Sequence, residues 1–305
     1  MKAAVIGVGH LGQHHARILA SLPGITLAGV VDIDRDRAAQ MAAEYGTTAF
    51  GDAREIPGLQ LVVIATPTES HASLALPLLE AGVHTLVEKP VTQTLAEADA
   101  LIAAAKRVGV VLAVGHSERF NPAVAVARPY VNDPRFIEVH RLGTQIGRSM
   151  DIDVVLDLMI HDLDLILSLV PSQVESVEAV GVPVLTPKID IANARVRFAN
   201  GCIANLTASR ISKDQVRKIR FFQRERYVSI DTAAREVEMF QLTPQPGGMP
   251  TIGGGKLTVA GDEPLKVELE DFVAAVRAER APAVPGEQGR AALALALRIV
   301  ELMAQ

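Results

Sequence analysis

The chain has no tryptophan and a single cysteine, Cys202, in 305 residues. A lone cysteine cannot form a disulfide within the chain, which fits a reducing compartment. Basic residues are not in excess: 30 Lys and Arg against 35 Asp and Glu leave a formal charge of -5. Nucleic acids and anionic membranes require a basic footprint, so the balance argues against both as partners. Long apolar runs are missing too. No stretch approaches the roughly 20 residues of a membrane span. The opening run Ala3-Ala4-Val5-Ile6 stops at Gly7, too soon for the apolar segment of a secretory signal. A soluble, cytoplasmic protein is expected.

What is present is enough apolar residue for two cores, and the length suggests about two domains. From 1 to 118 the sequence alternates apolar runs (3–7, 26–31, 61–65, 83–87, 110–115) with helical patterns. Continuous Val/Ile/Leu runs suit strands buried on both faces of a parallel sheet. The helices carry their own punctuation. Asp34 is an N-cap for a helix reaching Tyr45 before Gly46, and Thr94 with Glu97 forms a capping box for one ending at Gly109. Pro77 is expected to kink a helix over 70–81. Alternating β and α with short connections predicts a doubly wound α/β, or Rossmann, domain over 1–118.

From 119 to 305 the texture changes. A helical stretch at 122–132 precedes a strand at 136–142, and an apolar helix over 153–170 stops at Pro171. Strand-like runs follow at 174–180, 189–199, 202–209, 217–222, 226–231 and 235–241. Many alternate, as in Ala194-Arg195-Val196-Arg197-Phe198, which predicts an open-faced, largely antiparallel sheet in an α+β domain. An open face on a large sheet suggests a subunit interface, so a homodimer or homotetramer is expected. The Gly/Pro-rich 244–255 reads as a mobile loop, and 287–304 as a terminal helix.

The glycine pattern Gly7-Val8-Gly9-His10-Leu11-Gly12 directly follows an apolar run and opens a helix. Asp32, about twenty residues on, ends the next run, as a dinucleotide fingerprint requires. Gly7 permits the tight turn, Gly9 lets the backbone approach phosphates, and Gly12 lets helix and strand pack. The helix N-terminus offers N–H groups and partial positive charge. Asp32 would accept the ribose hydroxyls and repel a 2′-phosphate, so NAD is favoured over NADP. Arg35 and Arg37 lie close enough to weaken that preference.

Thr66-Pro67 closes the 61–65 run and Glu88-Lys89-Pro90 the 83–87 run. Carboxyl ends of parallel strands border the ligand crevice, which places these polar residues at cofactor or substrate. Downstream, Asp157 and His161 are spaced i, i+4 and share a helical face among apolar neighbours. A histidine held by a carboxylate suits removal of a hydroxyl proton, although the same pair also serves as a helix-surface ion pair. Around the domain junction, His116, Arg119 and Asn121 read either as crevice residues or as junction hydrogen bonding. Metal binding through Asp162 and Asp164, or through His10 and His14, finds no further ligand cluster, and hydride transfer needs none.

Together these motifs resemble the Gfo/Idh/MocA oxidoreductases across essentially the whole chain. The elements carrying the resemblance are the glycine turn, Thr66-Pro67 with His71, Glu88-Lys89-Pro90, Gly115-His116 with Arg119-Phe120-Asn121-Pro122, and Asp157 with His161. The resemblance implies that Lys89 and His161 act on the reacting hydroxyl with Asp157 supporting the histidine. It implies a cofactor lined by Gly7, Gly9, His10, Leu11, Gly12, Asp32, Thr66, Pro67, His71, Glu88 and Lys89. Substrate would meet Lys89, His116, Arg119, Asn121, Asp157 and His161. The Gly-His-Leu-Gly start and the His116–Ala123 segment look like members acting on nucleotide sugars, similar to UDP-N-acetylglucosamine 3-dehydrogenases. Arg141, Arg210 and Lys213 would then meet a diphosphate or stand as surface charges. The expected activity is NAD-dependent oxidation of a secondary hydroxyl of a sugar or UDP-sugar. The alternatives are an inositol or free-sugar dehydrogenase, an enzyme that recycles a held cofactor, and a non-catalytic NAD or sugar sensor.

Overall fold

The computed structural model describes residues 1–144, 152–245 and 248–304. The chain forms two compact units, one built from 1–117 and 263–290, the other from 118–262 and 291–305.

The first unit begins β1 (Lys2–Ile6), α1 (Gly12–Ser21), β2 (Thr26–Val31), α2 (Arg35–Tyr45) and a two-residue β3 (Ala49–Phe50). It continues β4 (Leu61–Ile64), α3 (His71–Glu80), β5 (His84–Glu88), α4 (Leu95–Val108) and β6 (Leu112–Gly115). All pairings are parallel, in the order β3-β2-β1-β4-β5-β6. That is the Rossmann order, whose switch point lies between β1 and β4. Every residue of β4 is buried, as a strand covered on both faces should be. Both helix-capping expectations hold: Asp34 accepts the Arg37 N–H, and Thr94 and Glu97 bond reciprocally. Pro77 lies inside α3.

The second unit contains α5 (Pro122–Ala127), β7 (Phe136–Thr144), a π-helical turn over Val155–Met159, and α6 (Ile160–Leu169). Its remaining strands are β8 (Val174–Val182), β9 (Ile191–Phe198), β10 (Ile203–Ser209), β11 (Ile211–Phe222), β12 (Arg226–Asp231), β13 (Glu236–Thr243) and β14 (Thr251–Leu257). They form one sheet in the order β14-β13-β12-β11-β7-β10-β9-β8, antiparallel except for β7 with β10. In β9, Ala192, Ala194, Val196 and Phe198 are buried while Asn193, Arg195 and Arg197 are exposed, so one face packs and the other is open. The packed face shares its core with Val124, Leu163, Ile166 and Ile299. Cys202 is in that core, and burial pushes its thiol up to about 11, which removes thiolate reactivity near neutrality.

The chain then returns to the first unit as α7 (Pro264–Arg277), whose Leu265, Leu269, Phe272 and Val273 join the core beneath α1 and β1. α8 (Gly286–Met303) starts in the first unit and ends in the second.

Three sequence expectations are corrected. Residues 263–290 belong to the first unit and not to the second. The 153–170 segment is not one α-helix, because it opens with the π-turn. Of the supposed 244–255 loop, residues from Thr251 onward pair with β13 as β14. A stretch with Gly253, Gly254 and Gly255 has no apolar alternation to reveal a strand, and Gly254 lies so close to β13 that a Cβ would stand 2.0 Å from the Met239 carbonyl oxygen.

Candidate active site

In the first unit, β1 delivers its carboxyl end to the glycine turn. Gly7 has φ +81°, and a Cβ there would lie 2.8 Å from the Ala65 carbonyl oxygen. A Cβ on Gly12 would lie 1.7 Å from the Gly7 carbonyl oxygen, so any side chain would part helix from strand. Gly9 is different: nothing stands within 4 Å of where its Cβ would be, which leaves room for a ligand to approach the backbone. No side chain caps α1 and no acid sits in its first turn. His10 is exposed, and Leu11 is half-buried at the N-cap. An open cradle at an uncapped helix N-terminus fits a pyrophosphate.

Asp32 follows β2 with its side chain 4 % exposed. It accepts hydrogen bonds from the N–H groups of Val8 (2.8 Å) and Asp34 (2.9 Å) and a two-pronged pair from Arg37 (3.1 and 2.7 Å). Burial raises its proton affinity, but the Arg37 hydrogen bond, the two N–H groups and the Arg37 charge outweigh it and hold the carboxyl below the usual range. Asp32 is therefore an anion, as ribose recognition requires.

The ends of β4 and β5 are tied together. His71 is buried, with Nδ1 2.9 Å from the Pro90 carbonyl oxygen and Nε2 2.9 Å from that of Thr66. The Ser70 hydroxyl donates to Thr66 Oγ1 (2.7 Å), while Pro67 is exposed. His71 thus joins the two loops expected to border the cofactor. The Glu88 carboxylate lies against β6, where a Cβ on Gly115 would come within 2.8 Å of it. Its Oε1 meets His15 Nε2 at 2.8 Å, and its Oε2 accepts the Lys89 N–H at 3.2 Å. Lys89 is half-buried at the carboxyl end of β5, and its peptide to Pro90 is cis. His116, just past β6, is buried.

In the second unit, Asp157 lies within the π-turn and His161 in the first turn of α6, both partly exposed. The wider turn keeps i and i+4 on one face, and single π-turns inside helices are frequent at functional sites. α6 is fixed from below by two ion pairs. Arg141 donates to both oxygens of Asp162 (2.7 and 2.8 Å), and Arg119 to both of Asp164 (2.6 and 2.8 Å). Burial opposes the charge on Arg141, but Asp162 and Glu118 outweigh it and raise its proton affinity.

Several residues read as ligand contacts have their polar atoms committed within this unit. Arg141 is buried and Arg119 half-buried in the pairs just described. Asn121 caps α5 through the Ala123 N–H and donates to the Thr232 carbonyl oxygen. Arg210 reaches Asp190 at 3.4 Å and donates to the carbonyls of Ile152 and Ile189. Asp162 and Asp164 serve Arg141 and Arg119, and no cluster of three metal-ligating side chains occurs among the described residues. Within the first unit, the structure gathers the glycine turn, Asp32, Thr66, His71, Glu88 and Lys89 at the carboxyl edge of one sheet. His15 is the residue that sequence reasoning misses. Its place on the apolar stripe of α1 marks it as buried, but nothing in the spacing couples it to Glu88.

A family model of oxidoreductases with an NAD-binding Rossmann fold, Gfo/Idh/MocA, matches residues 1–116. The Gfo/Idh/MocA C-terminal domain matches residues 143–226. UDP-N-acetylglucosamine 3-dehydrogenase of Acidithiobacillus ferrooxidans is 40% identical over 98% of this chain and 96% of its own. The chain belongs to the Gfo/Idh/MocA family. It is also similar to the scyllo-inositol 2-dehydrogenase (NAD(+)) of Bacillus subtilis, 31% identical over 70% of this chain and 68% of that one. A solved structure of the Acidithiobacillus enzyme superposes with a TM-score of 0.93, covering 100% of this chain and 99% of the other at 39% identity. The family membership makes the chain a dehydrogenase with an NAD-binding Rossmann domain. No described helix is long and apolar enough to cross a membrane.

Proposed function

We propose that the chain oxidises a secondary hydroxyl of a nucleotide sugar, with C3 of UDP-N-acetylglucosamine as the favoured position and NAD as the favoured acceptor. The observation that carries the reading is an intact dinucleotide turn and the Glu88-Lys89-Pro90 segment on one edge of one parallel sheet. The choice of substrate leans on the 40% identity to UDP-N-acetylglucosamine 3-dehydrogenase over nearly the full length of both chains.

The nicotinamide cofactor, when bound, accepts the hydride. The residues Gly7, Gly9, Gly12 and Asp32 would hold its pyrophosphate and ribose, and His71 keeps Thr66 and Pro90 in register beside them. Lys89 donates a hydrogen bond to the reacting oxygen and stabilises negative charge as its proton leaves. His161 takes that proton, and Asp157 supports the imidazole. The Arg119–Asp164 and Arg141–Asp162 pairs tie α6 to other elements of its unit.

Assembly through the open face of the second sheet is part of the same proposal. Phe136, Phe222, Tyr227 and Phe240 form one row of ring contacts across β7, β11, β12 and β13 on this face. Light scattering should find a dimer or tetramer; a monomer at micromolar concentration would sink that part.

The decisive experiment is a screen of UDP-sugars, inositols and free sugars for NAD reduction, read by the absorbance of the reduced nicotinamide. A stoichiometric keto-sugar with free NADH supports the reading. NAD binding without turnover on any member of the panel would point to a sensor instead.

A further inference from the structure

Asp32 stands where the adenosine ribose is expected, yet its carboxylate is already full. A carboxylate offers about four lone-pair positions. Here the four donors are the N–H groups of Val8 and Asp34 and the Nε and Nη2 of Arg37. The two backbone donors are fixed by the turn and by the start of α2. Arg37 is not fixed in that way: its side chain is 43 % exposed while that of Asp32 is 4 % exposed. It is the donor that can leave, and ribose hydroxyls seeking Asp32 must compete with it. A 2′-phosphate reverses the competition, because it brings charge and geometry matched to the guanidinium fork. The neighbouring Arg35 lies instead against Gly51, where a Cβ would come within 3.3 Å of its nitrogens. Ile33, between Asp32 and α2, is 98 % exposed and offers an apolar support beside the same rim.

We infer that Arg37 is the specificity-determining residue at the adenosine end of the cofactor site. By occupying Asp32 it weakens NAD, and by turning onto a 2′-phosphate it admits NADP, so the chain uses both nucleotides with a narrow preference. The inference rests on the cofactor reading above and not on the identity of the sugar.

The test is direct binding. The chain has no tryptophan, so the reduced nicotinamide can be excited and read without a competing indole. Dissociation constants for NADH and NADPH are measured for the wild type, Arg37→Ala, Arg37→Lys and Arg35→Ala. The wild-type ratio of the two constants should stay within about tenfold. Arg37→Ala should shift that ratio against NADPH by about tenfold or more, the order of a lost charge-assisted hydrogen bond. Arg37→Lys should shift it less, and Arg35→Ala not at all. Tight binding with a ratio unmoved by Arg37→Ala overturns this inference alone, as does a shift that follows Arg35→Ala instead. Failure of the wild type to bind either nucleotide overturns the cofactor reading and this inference with it.

Discussion

His15 Nε2 lies 2.8 Å from Glu88 Oε1, with the histidine side chain fully buried and the glutamate 8 % exposed. The contact joins α1, the helix that opens on the glycine turn, to the residue immediately before Lys89. Among the described residues, His15 Nδ1 has no hydrogen-bond partner, so the imidazole is held through this one contact. Replacing His15 with Leu removes this partner from a buried carboxylate, and leaving a buried charged group short of a hydrogen bond costs about 3 kcal/mol. His15→Gln retains a donor and should recover more than half of that loss. Chemical denaturation of both variants checks the order; equal stability of His15→Leu and wild type would show that the contact contributes nothing.

The glycine turn separates two kinds of requirement. Gly12→Ala puts a methyl 1.7 Å from a carbonyl oxygen, and overpacking of that kind costs about 3 kcal/mol. Gly9→Ala meets no protein atom, so its melting temperature should match the wild type. The added methyl instead occupies the space expected for the phosphates, and NADH affinity should fall by about tenfold or more. Unchanged NADH affinity in a folded Gly9→Ala protein would mean that the dinucleotide does not approach that backbone.

These two results bear on what a single sequence discloses. The glycine turn, the capped helices and β4 were legible because each follows from local rules: a positive φ, a side chain reaching its own backbone, a strand covered on both faces. Lys89 was legible by position, because the carboxyl end of a parallel strand borders the crevice. The partners of Arg119, Arg141 and Arg210 were not legible. An arginine in a strand or junction reads the same whether it meets a phosphate or an aspartate two elements away. Asp164, Asp162 and Asp190 respectively supply those partners, so residues that resembled ligand contacts and metal ligands turn out to hold each other. The π-turn was hidden for a different reason: an inserted residue inside a helix leaves the apolar periodicity nearly intact.

Asp190 gives a pH-dependent prediction. It is fully buried and accepts the N–H groups of Val184 (2.7 Å), Leu185 (2.6 Å) and Thr186 (3.0 Å). Burial raises its proton affinity, but these N–H groups and the Thr186 hydroxyl outweigh it and hold the carboxyl below the usual range. A carboxyl lowered in the folded state adds stability above its unfolded value, near 3.9, and loses it as pH falls through the folded value. Asp190→Asn should therefore cost about 2 kcal/mol at neutral pH. The gap from wild type should narrow below about pH 4. Denaturation curves taken across that range decide it; a gap independent of pH would assign the loss to packing instead of charge.

Lys89 and His161 can be told apart by what each loss does to the pH profile. Both Lys89→Met and His161→Gln should lower turnover by about a hundredfold or more, the usual worth of general acid–base assistance. His161→Gln should not change NADH affinity beyond about threefold, because His161 is assigned to the substrate hydroxyl and not to the cofactor. A base must be unprotonated to work, so the wild-type rate should fall on the acid side as His161 takes up its proton. That limb should vanish in His161→Gln and persist in Lys89→Met. Asp157→Asn leaves the imidazole in place but removes the carboxylate assigned to support it, so its loss in rate should be smaller than that of His161→Gln. An acid limb that survives His161→Gln would remove the histidine from the role of base and leave Lys89 as the candidate for proton transfer.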